Sequence, residues 1–132
     1  MKTAIVTGGS GGIGEAVCRR LAADGYRVIV NYAHSKDKAE KLAAEIGGEA
    51  VGFSVTDCRA VNSAIENIGF ADLLVNNAGI SEIDLFTHIS QENARNIMET
   101  NLIGAMNCAR AVLPPMINRK SGCIINISSM WG

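Results

Sequence analysis

The sequence predicts a single α/β domain built on a parallel sheet that helices cover on both faces. Short apolar runs alternate with segments of helical periodicity along the 132 residues, which is the arrangement of successive β–α–β units. The runs are apolar throughout rather than at every second residue, as expected of parallel strands buried on both sides. A chain with 48% hydrophobic and 19% charged residues also has the composition of a folded globular domain.

The first β–α unit is bounded by glycines. Residues 2–7 form a β-rich run that stops at Gly8, and apolar residues recur at helical spacing over residues 13–23. Asp24-Gly25 ends that helix, since glycine accepts the left-handed conformation of a helix C-terminus. The apolar run Arg27–Tyr32 is then the second strand.

The later units follow the same alternation. Ser35 is the predicted N-cap of a helix that closes at Gly47-Gly48, and residues 50–55 form a third strand. Thr56 or Asp57 caps the next helix. That helix ends at about Ile68, and a fourth strand follows at 72–75. A long helix begins at Ser90 and stops at Pro114-Pro115 or shortly after them, and a fifth strand follows at 123–127.

Charge and cysteine patterns exclude several classes of partner. The net charge is −1 and the basic residues are scattered, so we expect no nucleic-acid surface. The first apolar run is too short for a signal peptide or a membrane span, so we expect a cytoplasmic protein with no membrane partner. The four cysteines form no C-x-x-C pair and lie far from the two histidines, so we expect neither a metal site nor a disulfide.

A glycine-rich turn joins the first strand to the first helix. In such a turn backbone N–H groups and the positive end of the helix dipole meet a diphosphate. Gly8 would form the tight turn, Gly12 would allow the close approach of the ligand, and Gly14 would allow close packing of helix on strand. The position of the turn within repeated β–α units predicts dinucleotide binding.

Four motifs together resemble the short-chain dehydrogenase/reductase family. The segment from Thr7 to Gly14 is similar to the family's T-G-x-x-x-G-I-G motif, although adjacent Gly11 and Gly12 also fit the T-G-x-x-G-x-x-G spacing of its extended branch. The run Asn76-Asn77-Ala78-Gly79 resembles the N-N-A-G motif of the short branch and decides between them. The resemblance implies a Rossmann-type doubly wound sheet with strand order 3-2-1-4-5, followed in the family by two further strands.

Two further positions match the family's catalytic residues. Asn101, inside the long helix, matches the asparagine whose backbone helps to hold a water in a proton relay. Ser129 matches the serine that donates a hydrogen bond to the substrate oxygen, with Ser128 as the alternative. The Asn77 side chain is expected to bond backbone groups of neighbouring strands and so to brace the rim of the site.

The resemblance also implies which residues contact the cofactor. An acidic residue at the end of the second strand would favour NAD, and none occurs between Tyr32 and Lys36. Ser35, Lys36 and His34 could meet the 2′-phosphate of NADP, although Gly11 stands where many NADP-users carry a basic residue, so we expect NADP rather than NAD. The expected cofactor-binding residues are Gly8, Ser10, Gly11, Gly12, Ile13, Gly14, Asn31, Tyr32, Ser35, Ser54, Val55, Asn77, Ala78 and Gly79.

One departure concerns the adenine contact. The family often has a D-V-x-D run after the third strand, and this chain has Ser54-Val55-Thr56-Asp57. Serine at the first position puts the side-chain contact to the adenine amino group in doubt. A backbone contact from Val55 is still expected.

The family's Tyr-x-x-x-Lys motif does not occur in the sequence. The only tyrosines are Tyr26 and Tyr32, near the second strand. We therefore expect residues 1–132 to be an incomplete dinucleotide-binding domain, inactive alone, whose fifth strand is an exposed edge. Trp131 would lie by the substrate mouth or pack in the interior.

The implied function is hydride transfer between a nicotinamide and a ketone, as in the 3-oxoacyl-acyl-carrier-protein reductases of fatty acid biosynthesis. The substrate would be a small or carrier-bound ketone, and the full-length parent is expected to be a homo-oligomer. The last residues also resemble a related group that reduces a ketone on a modified elongation factor P. The alternative from another class is a non-catalytic dinucleotide-binding module.

Overall fold

The computed structural model describes residues 1–130 and shows a five-stranded parallel sheet. Numbered along the chain, the strands lie in the order 3-2-1-4-5, which confirms the predicted topology. Trp131, for which the sequence predicts two possible positions, lies outside the described residues. The strands are β1 (Thr3–Val6), β2 (Arg27–Tyr32), β3 (Glu49–Gly52), β4 (Leu73–Asn76) and β5 (Cys123–Asn126).

Helices connect the strands and cover both faces of the sheet. One apolar core lies under the third and fifth α-helices of the chain, and the other lies under the first and second. The side chains of neighbouring residues in one strand lie in opposite cores, as those of Ile5 and Val6 in β1 do, because side chains alternate between the two faces of a sheet. The helices are α1 (Gly12–Ala23), α2 (Lys36–Ile46), α3 (Cys58–Ile68), α4 (Gln91–Met98) and α5 (Gly104–Arg119), with a 3-10 turn at Phe86–His88 and a π-helical turn at Glu99–Ile103.

The third strand is shorter than the sequence predicts. It ends at Gly52 rather than at residue 55. The chain bends at Ser54, whose carbonyl accepts a hydrogen bond from the Asp57 N–H at 3.1 Å. The Asp57 carboxylate then caps α3 by accepting from the Ala60 N–H at 3.1 Å. The last residues predicted as strand therefore form a loop at the carboxyl edge of the sheet.

Of the two ends predicted for the long helix, the one at Pro114-Pro115 is wrong and the one shortly after them is confirmed. Helix α5 contains both prolines and ends at Arg119, before Lys120 adopts a left-handed conformation with φ of 52°. The prolines lack the N–H groups that would bond the preceding turn. The helix continues because Val112 and Met116, on either side of the prolines, are buried against the sheet. Ser90 begins the helical segment as predicted, with its hydroxyl oxygen accepting from the Asn93 N–H at 3.1 Å.

Strand β5 forms one edge of the sheet within residues 1–130. It pairs with β4, and the side chain of Ile125 is 44% exposed. An apolar edge strand presents unpaired backbone groups to another chain.

We expect the isolated 132-residue chain to self-associate through this edge. Sedimentation velocity should show a sedimentation coefficient that rises with protein concentration, and Ile125→Lys should reduce that rise, because a lysine on an edge strand opposes pairing. Ile83→Lys is the matched control, since Ile83 is fully exposed in a loop. A native chain that sediments as one monomer at all concentrations would contradict the expectation.

Candidate functional site

The loops at the carboxyl ends of the strands enclose a cleft of about 820 Å³. Ligands of open parallel α/β sheets bind at this edge. Ten of the fourteen residues predicted to bind a cofactor line this cleft, and four do not. Those that line it are Gly8, Ser10, Gly11, Asn31, Tyr32, Ser35, Ser54, Val55, Ala78 and Gly79. Those that do not are Gly12, Ile13, Gly14 and Asn77.

The turn after β1 requires glycine at two positions. Gly8 has a φ of 59°, in the left-handed region that other residues avoid. A Cβ atom added to Gly14 would lie 2.3 Å from the Gly8 carbonyl oxygen and 2.7 Å from the Asn77 Nδ2 atom. The turn therefore has the tight bend predicted at Gly8 and the close packing predicted at Gly14.

Asn77 and Thr7 bind this turn to the end of β4. The Asn77 Nδ2 group donates to the carbonyls of Thr7 and Gly8, both at 3.1 Å. The Thr7 hydroxyl oxygen accepts from the backbone N–H groups of Asn77 and Ala78, both at 3.0 Å. Asn77 thus braces neighbouring strands as predicted, and Thr7 has a positioning role that the sequence analysis did not assign.

The N-terminus of α1 lies at the turn without a side-chain cap. Its N-cap residue is Gly11, which makes no side-chain hydrogen bond. The first N–H groups of a helix have no partner within the helix, and the positive end of the helix dipole lies beside them. A Cβ atom added to Gly12 would meet no protein atom within 4 Å, and Ile13 is 65% exposed. This end of α1 is therefore open to an anion.

The end of β2 offers no carboxylate to the cleft. Its lining there consists of Tyr32, Ala33, His34 and Ser35. Asn31 is buried, and its side chain is bonded to protein: Oδ1 accepts from the Gly8 N–H at 3.1 Å. Its Nδ2 group donates to the carbonyls of Val51 and Phe53, at 3.3 and 3.0 Å. Asn31 therefore shapes the cleft wall and presents little free hydrogen-bonding capacity to a ligand.

The loop after β3 forms the opposite wall and is held from behind by α5. The hydroxyls of Ser54 and Thr56 lie 2.8 Å apart and hydrogen-bond one another. The Val55 carbonyl accepts from the Asn107 Nδ2 group at 2.9 Å. Asn107 was missed in the sequence analysis. The sequence does carry a signal for it: Asn107 is a polar residue within an apolar stripe of the helix that continues at Cys108 and Val112, and a polar side chain on such a face needs a partner.

Asn101 lies in the π-helical turn, and its side chain hydrogen-bonds the segment after β4. Its Nδ2 group donates to the Ile80 carbonyl and its Oδ1 atom accepts from the Ile80 N–H, both at 2.8 Å. The turn arises because the Gly104 N–H bonds the Glu99 carbonyl, five residues back. Such turns are frequent at functional sites. The Asn101 side chain is thus committed to the loop, which leaves its backbone for any role in a water relay.

Ser128 and Ser129 follow β5 at the same edge of the sheet. Both are exposed and lie just beyond Asn126, which pairs in register with Asn76 of β4. The topology therefore places Ser129 beside the strand end from which Asn77 emerges.

Two cysteines near these elements are not suited to nucleophilic chemistry. Burial raises the pKa of Cys18, in α1, to about 12, with a smaller contribution from the charge of Glu15. Burial alone raises the pKa of Cys108, in α5, to about 12. A thiol reacts as its thiolate, so both remain protonated and inert at neutral pH. In residues 1–130 no group of His, Cys, Asp and Glu side chains is arranged to hold a metal ion, and no helix could span a membrane.

Fold and site together define a Rossmann-type α/β protein with a glycine-rich turn at the switch point of its sheet. The sequence matches the family model described as short chain dehydrogenase over residues 2–132. The chain therefore belongs to the short-chain dehydrogenase family.

Similar proteins agree with this membership. The chain is 40% identical over 140 residues to a 3-oxoacyl-[acyl-carrier-protein] reductase of Staphylococcus aureus, covering 99% of this chain and 57% of that protein. It is 39% identical to a 3-oxoacyl-[acyl-carrier-protein] reductase of Synechocystis, with the same coverage. The solved serine dehydrogenase of Escherichia coli superposes with a TM-score of 0.89 at 30% identity, covering 96% of this chain and 62% of that one. The chain thus spans little more than half the length of the curated relatives it matches.

The glycine turn predicts opposite outcomes for two alanine substitutions. Gly14→Ala should lower the free energy of unfolding by about 2 kcal/mol or more, because its Cβ would overlap the Gly8 carbonyl. Gly12→Ala should leave that free energy unchanged or raise it by up to about 1 kcal/mol, since the space is open and alanine is the better helix former. Urea unfolding followed by circular dichroism measures both. Similar losses in the two variants would contradict this geometry.

Proposed function

We propose that the chain is the cofactor-binding part of an NADP-dependent carbonyl reductase. The observation that carries the proposal is the glycine turn, fixed by Asn77 and Thr7, with the uncapped end of α1 opening beside the cleft. Backbone N–H groups at Ser10, Gly12 and Ile13 would bind the diphosphate, since that of Gly11 bonds the Gly8 carbonyl at 3.5 Å, and the absence of a side chain at Gly12 leaves room for the ligand.

The two ends of the dinucleotide follow from the strand order. The adenosine half would lie across the ends of β2 and β3, between Tyr32 and Ser35 on one side and Ser54 and Val55 on the other. The nicotinamide half would lie toward β4, along Ala78 and Gly79. When bound, the nicotinamide supplies or accepts the hydride.

The proposal favours NADP over NAD because the β2 end carries no carboxylate. A carboxylate there would bond the ribose 2′-hydroxyl of NAD and repel the 2′-phosphate of NADP. Ser35 lines the cleft. Lys36 follows it at the start of α2 and is exposed. The two residues would bind the phosphate by a hydroxyl group and a positive charge, with His34 beside them.

The proposed reaction moves hydride to the carbon of a ketone and a proton to its oxygen, which gives an alcohol and the oxidised cofactor. Ser129, at the strand end beside Asn77, would donate a hydrogen bond to the ketone oxygen and stabilise the charge that develops there. Asn101 would contribute its backbone to the water relay, because its side chain is committed to Ile80. The proton would come from the tyrosine of a Tyr-x-x-x-Lys motif, which these 132 residues do not contain.

A 3-oxoacyl thioester is the proposed substrate, supported by the identity with reductases named for 3-oxoacyl chains on a carrier protein. A ketone on a modified elongation factor P is the alternative. The proposal keeps the cytoplasmic location expected from the sequence. It also includes a homo-oligomeric parent, for which the exposed apolar side chains of Met98, Leu102 and Met106 on the long helical segment offer a contact surface.

The second candidate is a dinucleotide-binding module without turnover, because the glycine turn and the cleft would serve binding alone. The source gene beyond codon 132 distinguishes the two. An in-frame Tyr-x-x-x-Lys about a dozen residues after Ser129 supports the reductase, and a stop codon there supports the module.

Ser35→Asp should reverse the cofactor preference. NADP⁺ affinity should fall about tenfold or more through repulsion of the 2′-phosphate, while NAD⁺ affinity is retained or improved. Isothermal titration calorimetry on the native chain and the variant measures both constants. Ser63→Asp adds the same charge on an exposed part of α3, near the starts of β2 and β3, and should change neither constant. A native chain that binds NAD⁺ more tightly than NADP⁺ would overturn the NADP assignment.

For a gene that continues into Tyr-x-x-x-Lys, Ser129→Ala should lower kcat for NADPH-dependent reduction of acetoacetyl thioester by about 10²- to 10³-fold. The KM for NADPH should change little, because the serine contacts the substrate oxygen. Ser128→Ala is the matched control and should retain most of the rate. The reverse result would move the catalytic role to Ser128, and loss in neither variant would remove it from this turn.

A further inference from the structure

The amide of Asn107 is the only side-chain group of residues 1–130 that bonds the backbone of Val55. Its Nδ2 group donates to the Val55 carbonyl at 2.9 Å, between residues 52 positions apart in sequence. Asn107 is 5% exposed and Val55 is 7% exposed. An amide buried in an apolar stripe at this depth requires a partner, and the loop after β3 supplies it.

Helix α5 also approaches the same residue as closely as its backbone permits. A Cβ atom added to Gly104 would lie 2.5 Å from the Val55 Cγ2 atom and 3.0 Å from its Cβ atom. Gly104 and Asn107 are one helical turn apart, so they contact Val55 from the same face of α5. Val55 is therefore supported from behind at both its side chain and its carbonyl.

The other polar group of Val55 lies at the cleft. Val55 lines the cleft between Ser54 and Thr56. Its N–H has no hydrogen-bond partner within residues 1–130, whereas the N–H groups of Phe53 and Asp57 on either side bond the carbonyls of Tyr32 and Ser54. A backbone donor that is this little exposed and has no partner is suited to a ligand acceptor.

The strand order indicates which part of a ligand would meet Val55. This step rests on the proposed function. With the diphosphate at the turn after β1 and the ribose at the end of β2, the base falls at the next strand outward, β3. Adenine presents an unprotonated ring nitrogen, N1, as an acceptor for a backbone N–H. Hypoxanthine carries a proton on that nitrogen and would oppose the same donor.

We propose that Asn107 is a positioning residue for recognition of the adenine base. By holding the Val55 carbonyl, it fixes the orientation of the Val55 backbone, whose N–H then selects adenine over a base protonated at N1. The support comes from α5, the helix that continues the π-helical turn containing Asn101.

The test compares NADP⁺ with its hypoxanthine analogue, nicotinamide hypoxanthine dinucleotide phosphate, on the 132-residue chain. Calorimetry should show tighter binding of NADP⁺ to the native chain. Asn107→Leu should weaken NADP⁺ binding by about three- to tenfold and change binding of the analogue little, so that the ratio of the two constants moves toward one. Asn118→Leu, at an exposed position of the same helix, is the matched control and should leave the ratio unchanged.

Each other outcome overturns the assignment. If Asn107→Leu weakened the binding of both ligands equally, Asn107 would support the fold without contributing to base recognition. If the ratio of the two dissociation constants did not change, the Val55 backbone would not depend on Asn107. A native chain that binds both ligands equally would remove base recognition from this loop, while one that binds neither would instead defeat the proposed function. Thermal denaturation establishes that each variant is folded.

Where Asn107→Leu does not fold, Asn107→Ser replaces it, because serine is smaller and loses the amide donor. Nuclear magnetic resonance on the native chain offers a second test that needs no variant. The side-chain amide resonances of Asn107 should shift more on addition of NADP⁺ than of the hypoxanthine analogue, and equal shifts would overturn the proposal.

Discussion

The contact between Gly14 and the Gly8 carbonyl is the constraint on which the cleft depends. A Cβ atom at Gly14 would lie 2.3 Å from that oxygen, so only glycine lets α1 begin this close to the end of β1. The same carbonyl accepts from the Asn77 Nδ2 group. The N-terminus of α1, the turn and the end of β4 are thereby held as one unit. Because a helix N-terminus attracts an anion only at short range, the geometry of this unit decides whether the cleft can bind a diphosphate.

Asparagine amides extend that unit across the whole carboxyl edge of the sheet. Loops that leave parallel strands carry N–H and C=O groups without ladder partners, and burial makes each of them costly unless it is bonded. An amide side chain supplies both donor and acceptor at fixed separation. Asn31 therefore joins the first turn to the loop after β3, and Asn76 joins β4 to Asn126 at 3.0 Å and to the Ala105 carbonyl at 3.3 Å. Polar and directional hydrogen bonds therefore connect the elements of the rim.

Elements whose signal is local could be predicted from the sequence, and contacts made at long range could not. Periodicity and glycines predicted the five strands and the bend at Gly8. Side-chain chemistry predicted a cap at Thr56 or Asp57, of which the structure shows Asp57, and the periodic pattern predicted that a helix begins at Ser90. The prolines left two helix ends open, because local propensity favours a stop there, whereas burial of Val112 and Met116 stabilises a helix that continues to Arg119. Asn107 was missed for a related reason. Its partner is 52 residues away, and only the assembled fold brings Val55 to it.

The long helical segment joins the two halves of the cleft. Asn101 clasps Ile80 on the β4 side, and Asn107 holds Val55 on the β3 side. A regular α-helix fixes the angle between such side chains by their spacing alone. The π-helical turn at Glu99–Ile103 changes that angle, because it places an extra residue in one turn. The widened turn is therefore part of the geometry by which one helical segment supports both walls.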